Sequence, residues 1–138
     1  MPLTPGRTHR AGRWLTAAFS TITGMADCLF CRIVAGDIPA TVVRSDDRTV
    51  AFRDIDPKAP THVLVIPTAH HPNLAALLEA DPESLVALHR TAVAVAEAEG
   101  IAPDGWRLVF NTGLGAGQSV FHVHGHILGG RPMGWPPG

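Results

Sequence analysis

The feature that most constrains this chain is a run of alternating histidines near its C-terminal end, His122-Val123-His124-Gly125-His126. On an extended strand alternate side chains share a face. The three rings are therefore expected to point one way at a pitch of about 6.5–7 Å, with Val120 beside them and Val123, Gly125 and Ile127 opposite. A row of imidazoles packs poorly in a core, because each ring nitrogen needs a partner. The strand, expected over Val120–Leu128, should thus line a polar cavity. Just before it runs Asn111–Ser119, NTGLGAGQS. Its glycines permit close approach of a ligand, and successive N–H groups in such a turn can form an anion-binding nest. Gln118, Ser119 and Asn111 add side-chain donors. Phosphate donors beside imidazoles point to phosphoryl or nucleotidyl transfer, since a neutral imidazole with an ordinary pKa near 6.5 is a competent nucleophile at pH 7. A metal site built from histidines two apart and a satisfied polar core are the rival readings. All three stay open on the residues alone.

The elements around this strand read as a mixed, α+β order. Cys28–Ala35 is expected to be helical, with Asp27 as N-cap and Gly36 closing it. Thr41–Arg44 and Thr49–Arg53 read as strands around a polar turn at 45–48, and Ile55–Pro60 as a proline-punctuated loop. His62–Ile66 reads as a buried strand stopped by Pro67. The clearest helix starts at Pro82 behind an Asp81 cap, carries Leu85, Leu88, Ala92 and Val95 at helical spacing, and ends at Gly100. A further strand is expected over Trp106–Asn111, with Trp106 in the core. His89 reads as a solvated surface group and His71 as a helix-entry residue.

The chain has 138 residues, enough for one domain with a real core and no disulfide framework. A formal net charge of −1 speaks against a basic nucleic-acid-binding surface. No apolar run approaches the roughly 20 residues that span a bilayer, so a cytoplasmic location is expected. Residues 1–26 hold Arg7, Arg10 and Arg13 and no acidic residue. They read as a disordered leader or an over-extended start, with an organellar transit peptide as the alternative, and the folded domain as 27–138.

The histidine run resembles the signature of the histidine-triad (HIT) superfamily. The likeness extends through DCLFCRIVAGDIP at 27–39, AFRDIDPKAP at 51–60, THVLVIP at 61–67, GQSVF at 117–121 and LGGRPMGWPPG at 128–138. The last of these is similar to the Hint branch, the histidine-triad nucleotide-binding proteins. This resemblance implies a HIT-like fold, with an antiparallel sheet of about five strands, two main helices, and sheets joined across a homodimer. It implies a purine nucleoside phosphoramidase that cleaves AMP-amine bonds through a nucleotidyl-histidine intermediate. A nucleotide-binding sensor with weak catalysis and a dinucleotide polyphosphate hydrolase are the alternatives. His124 is the implied nucleophile. His126 and Ser119 would contact phosphate or leaving group, and His122 and His62 would complete the proton and hydrogen-bond network. Asn111 and Gly117 would hold phosphate oxygens with Gln118 alongside, Asp54 would bind ribose, and Phe52, Ile55 and Ile33 would flank the base. Trp135 would approach the partner subunit's site. The chain departs from the family pattern at Gly125, usually bulky and apolar, at Thr68-Ala69, where relatives often carry lysine, and at Leu114-Gly115-Ala116, which lacks an acidic residue. These departures bear on packing and substrate preference.

Cys28 and Cys31, the two cysteines, are spaced C-x-x-C. Alone they are equally two small buried thiols, a redox pair, or half a zinc site. Some bacterial relatives carry the same pair and bind zinc with two histidines; the matching positions are His70 and His122. A structural Zn²⁺ is accordingly expected on Cys28, Cys31, His70 and His122, and no cofactor for the chemistry.

Overall fold

A computed structural model describes residues 27–138; the basic stretch 1–26, with its reading as a leader, lies outside the described residues. In chain order the elements are α1 (Leu29–Val34), β1 (Val42–Ser45), β2 (Thr49–Arg53), β3 (Thr61–Pro67), α2 (Leu74–Ala80), α3 (Pro82–Ala98), β4 (Trp106–Phe110), a 3₁₀ turn (Leu114–Ala116) and β5 (Gly125–Gly129). The five strands form one sheet in the order β1-β2-β3-β5-β4, and every neighbouring pair is antiparallel. The α+β expectation and the five-stranded antiparallel sheet hold.

The sheet has two differently dressed faces, as strand alternation requires. Ala51, Val63, Val65 and Ile127 meet Leu88, Ala92, Val95 and Ala96 of α3 in one core, where Trp106 packs half-buried as expected. Val50, Phe52, Leu64 and Ile66 meet Phe30 of α1 in the other. α3 begins where its sequence cap says it should. The Asp81 side chain accepts from the Ser84 N–H, Pro82 takes the first turn, and the chain turns out at Gly100. In the β1–β2 turn Asp46 Oδ1 accepts from the backbone N–H groups of Arg48 (2.9 Å) and Thr49 (2.8 Å), an Asx turn that sets the hairpin.

Four expectations need correction. The N-cap of α1 is Cys28, whose Sγ accepts from Cys31 N–H at 3.4 Å, instead of Asp27. β3 runs one residue further at each end, and Pro67 belongs to it. α2 was not expected; Asn73 caps it by accepting from Ala76 N–H at 2.9 Å, so the chain enters that helix at Asn73 and not at His71. The last strand is only Gly125–Gly129. Ahead of it the chain leaves the sheet, because Val123 N–H donates to His71 O at 2.7 Å. His122 and His124 thus precede the strand, and only His126 lies on it.

Gly125 is explained by its neighbours. It pairs with Phe110, and a Cβ there would lie 2.9 Å from Leu108 Cδ1 and 3.1 Å from Phe110 Cζ. Side chains of β4 fill the space beside Gly125, on the face away from His126.

Candidate active site

His62 on β3 and His126 on β5 stand on the face of the sheet that α1 covers, and His124 reaches it from the segment before β5. Their hydrogen bonds fix which nitrogen carries each proton, since a carbonyl only accepts and a backbone N–H only donates. His124 Nδ1 lies 2.8 Å from His122 O, so Nδ1 is protonated and Nε2 keeps the lone pair. Lys58 N–H donates to His62 Nδ1 at 3.0 Å, so the His62 proton sits on Nε2. That Nε2–H donates to His126 Nδ1 at 2.9 Å, which leaves His126 with a proton on its own Nε2. A ring with an open lone pair therefore neighbours a ring with an open donor, their centroids 4.9 Å apart. Asp54 Oδ2 lies 3.5 Å from His62 Nε2.

Burial dominates the electrostatics. Loss of solvent lowers the pKa of His124 against the opposing pull of the His122 carbonyl and of Asp54. Loss of solvent, helped by the rings of His124 and His62, pushes His126 down to about 4. His62 is lowered by burial too, with Asp54 acting in the other direction. All three rings are neutral at pH 7, the state a nucleophile and its hydrogen-bond partners need.

His124, His126, Ser119, Asp54, Phe52, Ile55 and Ile33 meet around one cavity of about 380 Å³. Phe30 stands at its wall, edge-on to Phe52 at 5.4 Å and to the His124 ring at 5.0 Å. The apolar stretch Ile38-Pro39-Ala40 completes the wall, together with Leu29, Leu64 and Val120. Sequence reasoning missed these, although the apolar period of α1 around Phe30 was a usable signal. Asn111, Gly117, Gln118 and Trp135 are not among the lining residues, and Trp135 is 82% exposed on this single chain.

The glycine-rich turn differs from the anticipated nest. The N–H groups of Ala116, Gly117 and Gln118 already donate to Gly113 O, Leu114 O and Gly113 O. Gly117 has φ +87°, so glycine is required for the turn itself. Gln118 is buried and fully used. Its Nε2 donates to Pro72 O (2.7 Å) and Val120 O (3.0 Å), and its Oε1 accepts from Gly113 N–H (2.9 Å). Gln118 staples the turn and delivers Ser119 to the cavity; neither its amide nor the Gly117 N–H is open to a ligand.

His122 was expected to share the catalytic face, but its ring is turned elsewhere. Nε2 donates to Pro67 O at 2.8 Å, which leaves Nδ1 as the bare nitrogen. That Nδ1 lies 3.5 Å from Cys28 Sγ, 3.5 Å from Cys31 Sγ and 3.3 Å from His70 Nδ1, and His70 Nδ1 lies 3.3 Å from Cys31 Sγ. A tetrahedral zinc with Zn–S of about 2.3 Å and Zn–N of about 2.0–2.1 Å places S and N about 3.6 Å apart and two N about 3.3 Å apart. The four donors Cys28, Cys31, His70 and His122 fit that geometry, and a backbone carbonyl already holds the far nitrogen of His122 as metal-bound imidazoles require. A second group, Asp54, His62 and His126, also brings ligand atoms together, but both nitrogens of His62 and the Nδ1 of His126 are taken up by the hydrogen bonds above.

Comparison with known proteins agrees with this fold. The HIT domain family model matches residues 35–133. The purine nucleoside phosphoramidase of Escherichia coli K12 is 44% identical over 108 residues, covering 78% of this chain and 91% of that protein. The 14 kDa zinc-binding protein of Zea mays is 47% identical over 112 residues, covering 80% of this chain and 87% of that one. The crystal structure of a HIT family hydrolase from Legionella pneumophila Philadelphia 1 superposes with a TM-score of 0.79 at 51% identity, over 81% of this chain and all of that one (100%).

Proposed function

The chain belongs to the HIT domain family, and from that premise we propose that it is a hydrolase of purine nucleoside phosphoramidates, with His124 as nucleophile. The observation that carries this reading is the complementary protonation of two neighbouring rings, a bare Nε2 on His124 and an Nε2–H on His126. His124 Nε2 attacks the α-phosphorus, the phosphorus–nitrogen bond breaks, and the amine leaves with a solvent proton relayed through the Ser119 hydroxyl, a proton returned to solvent when water attacks in the second step. The attacking ring becomes a cationic nucleotidyl-imidazolium. Its Nδ1–H then binds the His122 carbonyl more strongly than before, so that hydrogen bond favours the transition state over the ground state. The His126 Nε2–H serves a phosphate oxygen, and the Ser119 hydroxyl serves the departing nitrogen. Water releases the nucleotide in a second displacement. His62 orients His126 and carries no proton through, because Lys58 N–H occupies its other nitrogen.

Asp54 suits the ribose hydroxyls, and Phe52, Ile33 and Ile55 suit a purine face. Asn111 remains the phosphate contact that the family resemblance suggests, while Gly117 and Gln118 shape its loop. We place a structural Zn²⁺ on Cys28, Cys31, His70 and His122; it would tie α1 to the segment that bears the nucleophile. Two copies are proposed to join through β4, which would bring Trp135 to the partner's cavity. No helix among the described residues is long and apolar enough to cross a membrane. Free Cys28 and Cys31 suit the reducing cytoplasm.

The test is direct. His124→Ala is expected to lose at least about 1000-fold in hydrolysis of an AMP-amine while AMP binding stays within a few-fold. Wild-type protein quenched in turnover should carry a nucleotidyl adduct on His124. Full turnover by the variant overturns the assignment, and faster cleavage of a diadenosine polyphosphate than of the AMP-amine moves the substrate class.

A further inference from the structure

We infer that Arg131, outside the cavity, is a positioning residue that holds His62 in the one tautomer able to make His126 a donor; the inference rests on the catalytic reading above. Arg131 stands two residues beyond the end of β5 at Gly129. Its Nη2 and Nε donate to Lys58 O at 3.0 and 3.4 Å, and its Nη1 donates to Pro132 O at 3.0 Å. The neighbouring Gly130 has φ +88°, and a Cβ there would sit 2.9 Å from Pro60 Cβ. The segment after β5 therefore lies flush against the 54–60 loop at two successive residues.

That loop presents the Lys58 N–H to His62 Nδ1 at 3.0 Å. Asp54 N–H to His62 O (3.0 Å) closes the base of the loop against β3, whereas Asp56 N–H to Asp54 Oδ1 (2.8 Å) and Lys58 Nζ to Asp56 Oδ2 (2.6 Å) stay inside it, so Arg131 is what ties the Lys58 carbonyl to the body. The contacts form a closed circuit from β5 through His126, His62, Lys58 and Arg131 back to the end of β5. Two N–H groups of a rigid guanidinium fork grip one carbonyl, and a lysine ammonium lacks that geometry.

Loosening the grip frees His62 Nδ1 to take the proton. His62 then offers a bare Nε2 to His126, which must move its own proton to Nδ1 to meet it. His126 thereby turns a lone pair toward the phosphate oxygens, replacing attraction with repulsion.

The experiment uses the full chain labelled with ¹⁵N-histidine, as wild type, Arg131→Met and Arg131→Lys, at pH 7.5. Long-range proton–nitrogen spectra are expected to show His62 in wild type as the Nε2–H form alone. Arg131→Met should show a mixture of the two forms. Its kcat on an AMP-amine should fall about tenfold, the size of one lost hydrogen bond, with KM changed less than about threefold. Arg131→Lys should recover only part of both. Wild-type His62 signals in Arg131→Met with kcat within twofold overturn the inference, as does loss in KM alone. An Arg131→Met chain that unfolds leaves the milder Arg131→Lys to decide on the same two readouts. If wild type itself turns over no phosphoramidate, the catalytic reading fails, whereas the His62 spectra still report on Arg131.

Discussion

His124 and His62 hold their protonation states through one hydrogen bond to a backbone atom, His126 through the His62 ring, and all three through burial, which has a consequence for stability. His126 is pushed down to about 4 by loss of solvent first, then by the rings of His124 and His62. In the unfolded chain the same ring titrates near 6.5. Above about pH 6.5 both states are neutral. Between about 6.5 and 4 the unfolded chain binds a proton that the fold refuses, so stability rises with pH across that window and is lost as pH falls through it. A depression of this size amounts to at most about 3 kcal/mol, less after discounting the ring's partial exposure. His126→Gln should therefore take up about one proton fewer on unfolding near pH 5.5, read from the pH dependence of the urea unfolding free energy; an unchanged slope would place the depressed group elsewhere. Alternation along one segment is a local signal and singled out His122, His124 and His126, whereas His62 and His70 entered only through the family resemblance. The sequence did not show their tautomers, since the deciding partners, Pro67 O and Lys58 N–H, lie 55 and 4 residues away from the rings they hold. Nor did it show that Gln118 closes its own turn.

α1 has only six residues, far below the length at which a helix stands alone in water. It nevertheless supplies Phe30 and Ile33 to the cavity. Its first turn is held by a sulfur cap on Cys28, and Cys28 and Cys31 face His70 and His122. If zinc occupies that cluster, the metal carries much of the helix's stability. Purified protein should then contain about one zinc per chain. His70→Ala, removing a half-exposed-to-solvent ligand rather than a core ring, should drop that to well below half and lower the melting temperature by several degrees. Metal analysis with a thermal melt checks it, and a zinc-free wild type of undiminished stability would refute it. The elements also show where sequence periodicity stops informing. α3 was legible because a cap, a Pro at the first turn and an apolar stripe agree. α2 was not, being seven residues long with its cap hidden in a polar stretch. The histidine strand reads as nine residues by alternation, yet the chain leaves the sheet before Gly125 because Val123 bonds to His71. Alternation reports facing, whereas pairing depends on partners from elsewhere in the chain.

At the scale of the molecule the sheet ends in two unlike edges. β1 carries a bulge between Val42 and Arg44 and a charged, mostly exposed pattern, features that keep an edge from pairing. β4 is Trp-Arg-Leu-Val-Phe with every residue half-buried and no bulge in its register with β5. Beside it α3 turns Val86 (52% exposed) and Val93 (48% exposed) outward, and the His89 ring stacks on Phe110 of β4 at 5.7 Å. His89 is thus exposed, yet it bridges helix and edge strand. An unguarded edge continuous with an apolar helix face is the surface on which a second copy would add its own β4, as the family resemblance leads one to expect. That joining would also bring the exposed Trp135 of one subunit to the other's cavity. Val93→Glu places a charge in the middle of the proposed contact without touching either core. Sedimentation equilibrium should show the wild type at twice the mass of one chain and Val93→Glu largely at the single-chain mass, with circular dichroism unchanged. Because the proposed site borrows Trp135, the monomer should also lose activity on an AMP-amine by severalfold while the His124 adduct still forms. A wild type that sediments as one chain at micromolar concentration would separate the family's chemistry from its assembly in this protein, leaving the cavity complete on its own.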